Sequence, residues 1–165
     1  MEDKTQPHSE VHKLAELIKG IKIAMLTTIT RENKLHSAPL FTQEIDFDGD
    51  LWFLITRTSQ KVSDINYESN VSLCYSGTGK YVSITGIAHL EDDPEKIREL
   101  WSKSYEAYFP QGPKDPNIQL LRIDVETAEY WEGHSMPVAR MLQFVKATTG
   151  SHIKMGDHGQ LDLKH

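Results

Sequence analysis

The chain has 165 residues, enough for one domain with its own core, and 38% of them are hydrophobic while 25% are charged. Its net charge of -6 argues against nucleic acid and anionic membrane surfaces as main partners, because both favour a basic face. The single cysteine, Cys74, excludes an internal disulfide and a thiolate-rich metal site. The apolar runs are too short to cross a bilayer and the first residues lack a signal-peptide pattern, so we expect a cytoplasmic protein.

The first third of the chain predicts a helix followed by three strands. Ser9 is expected to cap a helix over 10–19, which Gly20 ends. Pro39 is expected to break or bulge the second strand, and the Asp-Gly pattern within 46–50 predicts a hairpin. The apolar face of the helix is formed by Val11, Leu14, Leu17 and Ile18, and the predicted strands cover 22–30, 35–45 and 51–55.

The rest of the chain predicts three more strands with helices between them. A short helix is expected to begin at Thr56 or Thr58 and to end near Tyr67. Asp92 and Asp93, followed by Pro94 as the first helical residue, begin another helix that is expected to reach Tyr105, with an apolar side formed by Ile97, Leu100, Trp101 and Tyr105. The remaining predicted elements are strands over 71–76, 81–90 and 118–131, a last helix over 137–147 and a loosely ordered polar tail over 151–165, which contains Gly156 and Gly159.

The order of these elements predicts the fold class. About six strands follow one another in hairpin-like succession, without regular βαβ alternation and without an internal repeat. We therefore expect a mainly β fold with peripheral helices, arranged as a six-stranded antiparallel barrel. The predicted organisation is a flexible N-terminus over 1–10, one domain over 11–150 and the tail over 151–165.

One acidic segment has the spacing of a calcium loop without its essential residues. Asp46, Asp48 and Asp50 match the first three ligands, but Leu51 and Arg57 stand where the loop requires glycine and glutamate. The segment is interpreted as a polar hairpin.

Two further ligand patterns are incomplete. The segment 77–80 suggests a phosphate loop, but Cys74 and Tyr81 replace the glycine and the hydroxyl residue that the pattern requires, so a hairpin turn is expected. No Gly-x-Gly-x-x-Gly fingerprint follows a strand. His152 and His158 lie in the predicted tail, where solvated side chains are expected, and no metal site is predicted.

The segment 56–61, Thr-Arg-Thr-Ser-Gln-Lys, is the strongest candidate for a binding site. It follows an apolar strand and opens a helix, and it carries three hydroxyls and two cations. A helix N-terminus favours an anion, and hydroxyl and lysine donors suit a phosphate monoester. The same residues are compatible with a simple helix cap surrounded by solvated charges.

The sequence resembles the pyridoxamine 5'-phosphate oxidase superfamily, whose fold is the FMN-binding split barrel, and within it the general stress protein branch. The resemblance covers about residues 11–150. Its motifs are Leu51-Trp52-Phe53-Leu54-Ile55-Thr56 with Ser59-Gln60-Lys61-Val62 and Asn66, Met25-Leu26-Thr27-Thr28, Ser37-Ala38-Pro39-Leu40, and Tyr130-Trp131-Glu132-Gly133.

The resemblance implies a cofactor, FMN, and a homodimer with FMN at the subunit interface. It places Trp131 against the flavin of the partner subunit; a core or interface aromatic without ligand contact is the other interpretation of this residue. The other residues that it assigns to the cofactor are Ser37, Ala38, Pro39 and Leu40 along the isoalloxazine ring, Ile55 and Thr56 at the ring and the ribityl or phosphate region, with Phe53 and Leu54 before them in the same strand, and Ser59 and Lys61 on the phosphate with Gln60 beside them.

The sequence also departs from the oxidase pattern. Residues 133–137 replace the Arg-Leu-x-Asp-Arg-like stretch that serves the oxidase's substrate, and Gln60 replaces an arginine of the phosphate-binding pair. Arg57 is a candidate to supply the missing cation. These departures argue against true pyridoxamine phosphate oxidation.

The resulting hypothesis is an FMN-dependent oxidoreductase of the general stress protein class with an unknown small-molecule electron donor or acceptor. A non-catalytic flavin-binding or flavin-sensing module is the first alternative. A relative with true pyridoxamine 5'-phosphate oxidase activity is the second, which the departures above disfavour. No catalytic acid or base is identified; His36, His89 and His134 are candidates by residue type only.

Overall fold

The computed structural model describes residues 7–42, 47, 49–133 and 157–163. Within these residues the chain forms three α-helices and seven β-strands. They are α1 Pro7–Ile18, β1 Ile23–Ile29, β2 Leu35–Phe41, β3 Asp50–Thr56, α2 Gln60–Tyr67, β4 Asn70–Gly77, β5 Lys80–Glu91, α3 Pro94–Leu100, β6 Ile118–Glu132 and β7 Asp157–Asp162.

The strands form one antiparallel sheet in the order β2-β1-β4-β5-β6-β3, with β7 paired to β6. The two terminal strands of this path, β2 and β3, contact each other, so the sheet curves into a barrel that is open between them. The predicted mainly β antiparallel architecture with peripheral helices is confirmed, with seven described strands instead of six.

The barrel interior is filled by alternate apolar residues, as expected for strands with one buried face. The most deeply buried of them include Leu26, Leu73, Ile84, Leu121 and Ile123. The predicted apolar face of α1 packs against this interior, with Leu14 and Leu17 fully buried. The helix begins at Pro7, so Ser9 lies inside it and the predicted Ser9 cap is wrong.

A second core lies under α3 and the segment that follows it. Asp93 caps α3 as predicted, since its carboxylate accepts the N–H groups of Glu95 and Lys96, each at 3.1 Å. The helix ends at Leu100, earlier than predicted, because Trp101 is extended, and the chain then makes a short 3-10 turn, Lys103–Tyr105. This second core consists of Leu54, Leu100, Tyr105, Phe109, Ile118 and Leu120.

Strand β2 runs through Pro39 without interruption. Its register with β1 is continuous from Leu35 to Phe41, so the predicted break or bulge at Pro39 is wrong. Proline is tolerated there because β2 is an edge strand, where a missing N–H need not leave a ladder bond unmade.

The pairing of the long strands β5 and β6 contains a bulge, with the extra residue, Glu126, on β6 opposite the step from Thr85 to Gly86. Their register shifts between Thr85 and Gly86, and a Cβ at Gly86 would lie 2.3 Å from the carbonyl oxygen of Asp124. Gly77 pairs with Lys80 across a two-residue turn, so the segment 77–80 is the predicted hairpin and not a phosphate loop.

The C-terminal segment 157–162 forms β7, so the expectation of a loosely ordered tail is wrong for these residues. Gly159 lies opposite Tyr130, and a Cβ there would be 2.5 Å from the Tyr130 ring. Because Gly159 has no side chain, β7 can pair closely with β6 beside the Tyr130 ring, so this glycine does not indicate disorder. The predicted helix over 137–147 lies outside the described residues.

Candidate functional site

The start of α2 carries a buried hydroxyl without a partner. Ser59 is the N-cap residue with extended backbone, yet its side chain makes no capping hydrogen bond. Its Oγ is buried and has no hydrogen-bond partner among the described residues. A buried polar atom of this kind is costly unless a ligand or water satisfies it. The helix begins at Gln60, later than the predicted Thr56 or Thr58.

Lys61, two residues further on, is a half-buried cation. It makes no hydrogen bond or ion pair with any residue in the described part of the chain. Burial lowers the pKa of its ammonium group, because desolvation disfavours the charged form. An anion bound nearby would oppose that effect. Ser59 and Lys61 thus leave two unsatisfied polar groups at one helix start.

The side chain of Gln60, in contrast, has a hydrogen-bond partner. Its Nε2 donates to Asp64 Oδ1 at 2.7 Å, across one turn of α2. Asp64 is 1% exposed and also accepts from Thr28 Oγ1 at 2.7 Å, and its Oδ2 lies 3.2 Å from His36 Nδ1. Burial alone would raise the pKa of Asp64, but hydrogen bonds from these three residues and the His36 charge outweigh it, so the pKa lies below its ordinary value.

The guanidinium of Arg57 is hydrogen-bonded to backbone and side-chain groups of the protein. Its guanidinium donates to the carbonyl oxygens of Pro116 and Ile118 at 3.2 and 2.9 Å, and to Gln119 Oε1 at 3.0 Å. A further bond reaches the exposed Asp92 at 3.3 Å. These contacts tie the end of β3 to the start of β6. Although Arg57 also lines the cleft beside α2, its guanidinium already has these partners, so it is a weaker candidate than Lys61 for the missing phosphate-binding cation.

A cleft of about 320 Å³ opens beside α2. Its lining includes Arg31 from the β1–β2 turn, together with Thr58, Ser59 and Ser63. Arg31 makes no hydrogen bond or ion pair with another described residue. Gln60 and Lys61 do not line this cleft.

The position of Arg31 at this cleft is not predicted by the sequence, in which residues 31–33 are only a polar, turn-like stretch between two predicted strands. The hairpin tip reaches α2, where Tyr67 donates to Asn33 Oδ1 at 3.2 Å. The missing information was this tertiary contact, since an arginine in a turn has no distinctive local pattern.

The residues predicted to lie along the ring occupy β2. Ser37 and Pro39 are exposed, Ala38 is half-buried and Leu40 is buried. The hydroxyls of Ser37 and Thr27 are 2.7 Å apart, so the side chain of Ser37 has a partner in the neighbouring strand. Because β2 ends the strand order, its backbone has β1 as its one strand partner among the described residues.

The predicted residues of β3 lie mostly inside the protein. Phe53 and Ile55 are buried in the barrel core, Leu54 is buried in the second core, and Thr56 is half-buried at the strand end. Any contact of the three apolar residues with a ligand must therefore use mainly their backbone groups.

Trp131 lies far from the start of α2 along the sheet. Thr56 pairs with Ile118 at one end of the 15-residue strand β6, and Trp131 is close to the other end. At about 3.3 Å per residue the two positions are separated by roughly 40 Å of strand contour. Trp131 is half-buried and pairs with Tyr81 in β5.

Other ligand chemistry is not apparent in the described residues. No group of three or more His, Cys, Asp or Glu side chains there is arranged to hold a metal ion. Asp46, Asp48 and His152 lie outside the described residues. No helix in the described part of the chain is long and apolar enough to span a membrane.

Comparison with known proteins places this barrel in a family. The family model described as "Pyridoxamine 5'-phosphate oxidase like" matches residues 9–153. The chain belongs to this family. The resemblance found in the sequence is thereby confirmed.

Relatives of this pyridoxamine 5'-phosphate oxidase-like chain include a curated protein and several solved structures. Protein bli-3 of Neurospora crassa is 27% identical over 135 residues, covering 73% of this chain and 64% of that protein. General Stress Protein 26 from Bacillus anthracis str. Sterne is 29% identical with a TM-score of 0.65, covering 74% of this chain and 93% of that one. The general stress FMN/FAD binding protein of Xanthomonas citri shares the fold at 22% identity and a TM-score of 0.67, covering 90% of this chain and 99% of that one.

Proposed function

We propose that this chain binds FMN and that the start of α2 holds its phosphate. The observation that supports the proposal is the pair of unsatisfied groups there, the buried Ser59 Oγ and the half-buried Lys61 ammonium. A phosphate monoester would accept hydrogen bonds from both, and from backbone N–H groups at the helix start. The donor set therefore fits the terminal phosphate of FMN.

The neighbouring cleft supports an anionic ligand as well. Arg31, Thr58 and Ser63 add a guanidinium and two hydroxyls at the same end of the molecule. Arg31 has no partner among the described residues, so its charge is available to a ligand. Together these side chains supply a positive charge and hydroxyl donors in place of the arginine that Gln60 replaces.

The ring of FMN would lie along β2. The phosphate turn, which we define as residues 57–61 between β3 and the first residues of α2, would lie close to it. Free backbone groups on the outer edge of β2 suit the hydrogen-bonding edge of an isoalloxazine ring. The contact between β2 and β3 brings the strand that leads into the phosphate turn near this edge. Ser37, Ala38 and Pro39 are the residues that we expect to line the ring, with Leu40 supporting them from inside.

We also propose that the complete site needs two copies of the chain. The resemblance places Trp131 against the flavin of the partner subunit, and in its own chain Trp131 lies near the end of β6 opposite to the one that pairs with Thr56. Exposed apolar side chains on β1 and β2 give such a partner a surface to cover. They are Ile23, Met25, Leu35 and Phe41.

Bound FMN would supply electron transfer, and the chain's own residues would bind and orient it. We propose an oxidoreductase of the general stress protein class, whose electron donor and acceptor are small molecules. The stretch that serves the oxidase's substrate is replaced in this chain, which argues against pyridoxamine 5'-phosphate as that substrate. Oxidation of NADH or NADPH by the FMN-loaded protein, measured with added acceptors, would support this role. Flavin binding without any turnover would favour the non-catalytic module.

Titration with FMN, riboflavin and FAD tests the binding proposal. We expect FMN to bind with a fluorescence change at one flavin per chain and more tightly than riboflavin, which lacks the phosphate. At about 100 times its Kd, FMN would stabilise the fold by about 2.7 kcal/mol and raise the Tm by roughly 5–10 °C. If FMN causes no spectral change and no thermal shift, the proposal is overturned. Tighter binding of FAD than of FMN would instead indicate a dinucleotide as the ligand.

A further inference from the structure

Asp64 joins three elements of the barrel through one buried carboxylate. Oδ2 accepts from Thr28 of β1 at 2.7 Å and lies 3.2 Å from Nδ1 of His36 in β2. Oδ1 accepts from Gln60, the first residue of α2, at 2.7 Å. Asp64 and Thr28 are each 1% exposed, whereas the His36 side chain is 37% exposed.

A buried carboxylate is costly unless its oxygens are hydrogen-bonded. Both oxygens of Asp64 have partners, so the group is held in one orientation. A leucine or methionine at this position would fill the space without requiring any of these contacts. The carboxylate instead makes the positions of its partners depend on one another.

Two of these partners adjoin the two parts of the proposed flavin site. His36 directly precedes Ser37, the first residue expected along the ring. Gln60 stands between Ser59 and Lys61, which are expected to hold the phosphate. The carboxylate therefore connects the ring strand to the phosphate turn through side chains one residue away from each.

We propose that Asp64 is a positioning residue that fixes the spacing between the ring strand β2 and the phosphate-binding start of α2. The inference rests on the proposed FMN function and deepens it. A ligand held at both ends gains affinity from a rigid spacing between the two ends, because the second contact then costs little additional ordering. Asp64 touches neither end of the ligand and acts through His36 and Gln60.

Riboflavin and FMN together measure this effect. Riboflavin can use the ring strand but has no phosphate to place, so it gains little from fixed spacing. We expect Asp64→Ala to reduce the preference for FMN over riboflavin by roughly tenfold, the scale of coupling between neighbouring groups. Asp64→Asn should largely restore the preference, because an amide can keep these contacts once the Gln60 amide turns over.

Two further variants separate positioning from folding. His36→Ala removes the side-chain contact between β2 and Asp64. Because His36 is partly exposed, the variant should fold, and it should reduce the preference for FMN as Asp64→Ala does. Thr28→Val removes the hydroxyl that β1 contributes, with its 2.7 Å bond to Asp64 and its 3.4 Å contact with the His36 carbonyl oxygen, and keeps the side-chain contacts of His36 and Gln60. It is the matched control and should lower the Tm and leave the preference unchanged. In a Lys61→Ala background, Asp64→Ala should have little further effect on the preference, since both variants act on the same phosphate contacts.

The experiment is a fluorescence titration of the full chain and each variant with FMN and with riboflavin at pH 7.5, with a Tm for each. Reduced preference in Asp64→Ala and His36→Ala, but not in Thr28→Val, is the expected result. An unchanged preference in His36→Ala would overturn the inference while leaving the proposed function intact. Absence of any FMN preference in the wild-type chain would overturn both.

Discussion

Gln60 and Asp64, one turn apart in α2, are joined by a 2.7 Å hydrogen bond between Gln60 Nε2 and Asp64 Oδ1. The bond turns the Gln60 side chain toward the buried carboxylate. Of the three residues predicted at the phosphate, Ser59 and Lys61 are therefore the two whose side-chain polar groups have no hydrogen-bond partner among the described residues. The first two predictions concern these groups.

Replacement of Lys61 by alanine should weaken FMN binding far more than riboflavin binding. A charge-assisted contact of this kind contributes about 1.5–3 kcal/mol, which corresponds to roughly ten- to hundredfold in Kd. Isothermal titration with both ligands measures the two losses. Lys103→Ala, which removes an exposed lysine beyond α3, is the control and should change neither Kd. Equal losses for both flavins would mean that Lys61 does not contact the phosphate.

Ser59→Ala should affect folding and binding in opposite directions. The Ser59 hydroxyl is buried, makes no capping bond and has no partner in the part of the chain that the structure describes. Its removal should therefore leave the free energy of unfolding of the free protein unchanged or raise it by up to about 1 kcal/mol. FMN affinity should fall by about 0.5–1.5 kcal/mol, the usual contribution of a neutral hydrogen bond. Urea unfolding and FMN titration give the two values. A clear loss of stability in the free protein would show that the hydroxyl has a structural partner.

Arg57→Ala should destabilise the fold without changing the preference for FMN over riboflavin. Its guanidinium satisfies the carbonyls of Pro116 and Ile118 and the Gln119 side chain, and charged hydrogen bonds are individually worth about 1.5–3 kcal/mol before exposure is discounted. Because the side chain is partly exposed, we expect a loss of about 1–2 kcal/mol in unfolding free energy. A selective loss of FMN binding at unchanged Tm would instead place Arg57 on the phosphate.

The sequence predicts the fold more completely than the site, for physical reasons. Period-two patterns and turn residues are local signals, and they predict β1 to β6, the 77–80 hairpin and the Asp93 cap. Pro39 and Gly159 lead to wrong predictions of a strand break and of a loosely ordered tail. Whether proline or glycine is tolerated within a strand depends on the neighbouring strand, which the local sequence does not reveal. The Asp64 contacts join residues from three separate elements, and nothing in the sequence near Asp64 indicates that it is buried.

The proposed dimer predicts a response to charge on β1. Met25 is 42% exposed and lies in register between Pro39 of β2 and Cys74 of β4. If a second copy covers this face, Met25→Asp buries an unpaired carboxylate and should shift the protein toward monomer. Light scattering coupled to size-exclusion chromatography measures the mass. Ala107→Asp adds the same charge at an exposed turn position and should leave the mass unchanged. A monomeric wild-type chain would contradict the dimer itself.

The lowered pKa of Asp64 predicts a specific loss of stability in acid. A carboxyl group whose folded pKa lies below its unfolded value, about 3.9, stabilises the fold above that value and loses this contribution as pH falls through the folded pKa. Asp64→Asn lacks the contribution at every pH, and the other carboxyl groups are common to both proteins. The unfolding free energy of the wild type minus that of Asp64→Asn should therefore be constant near pH 5–6 and decrease below about pH 4. Urea unfolding at steps of pH gives this difference directly. A difference that increases as the pH falls would mean that burial dominates and that the folded pKa of Asp64 is raised.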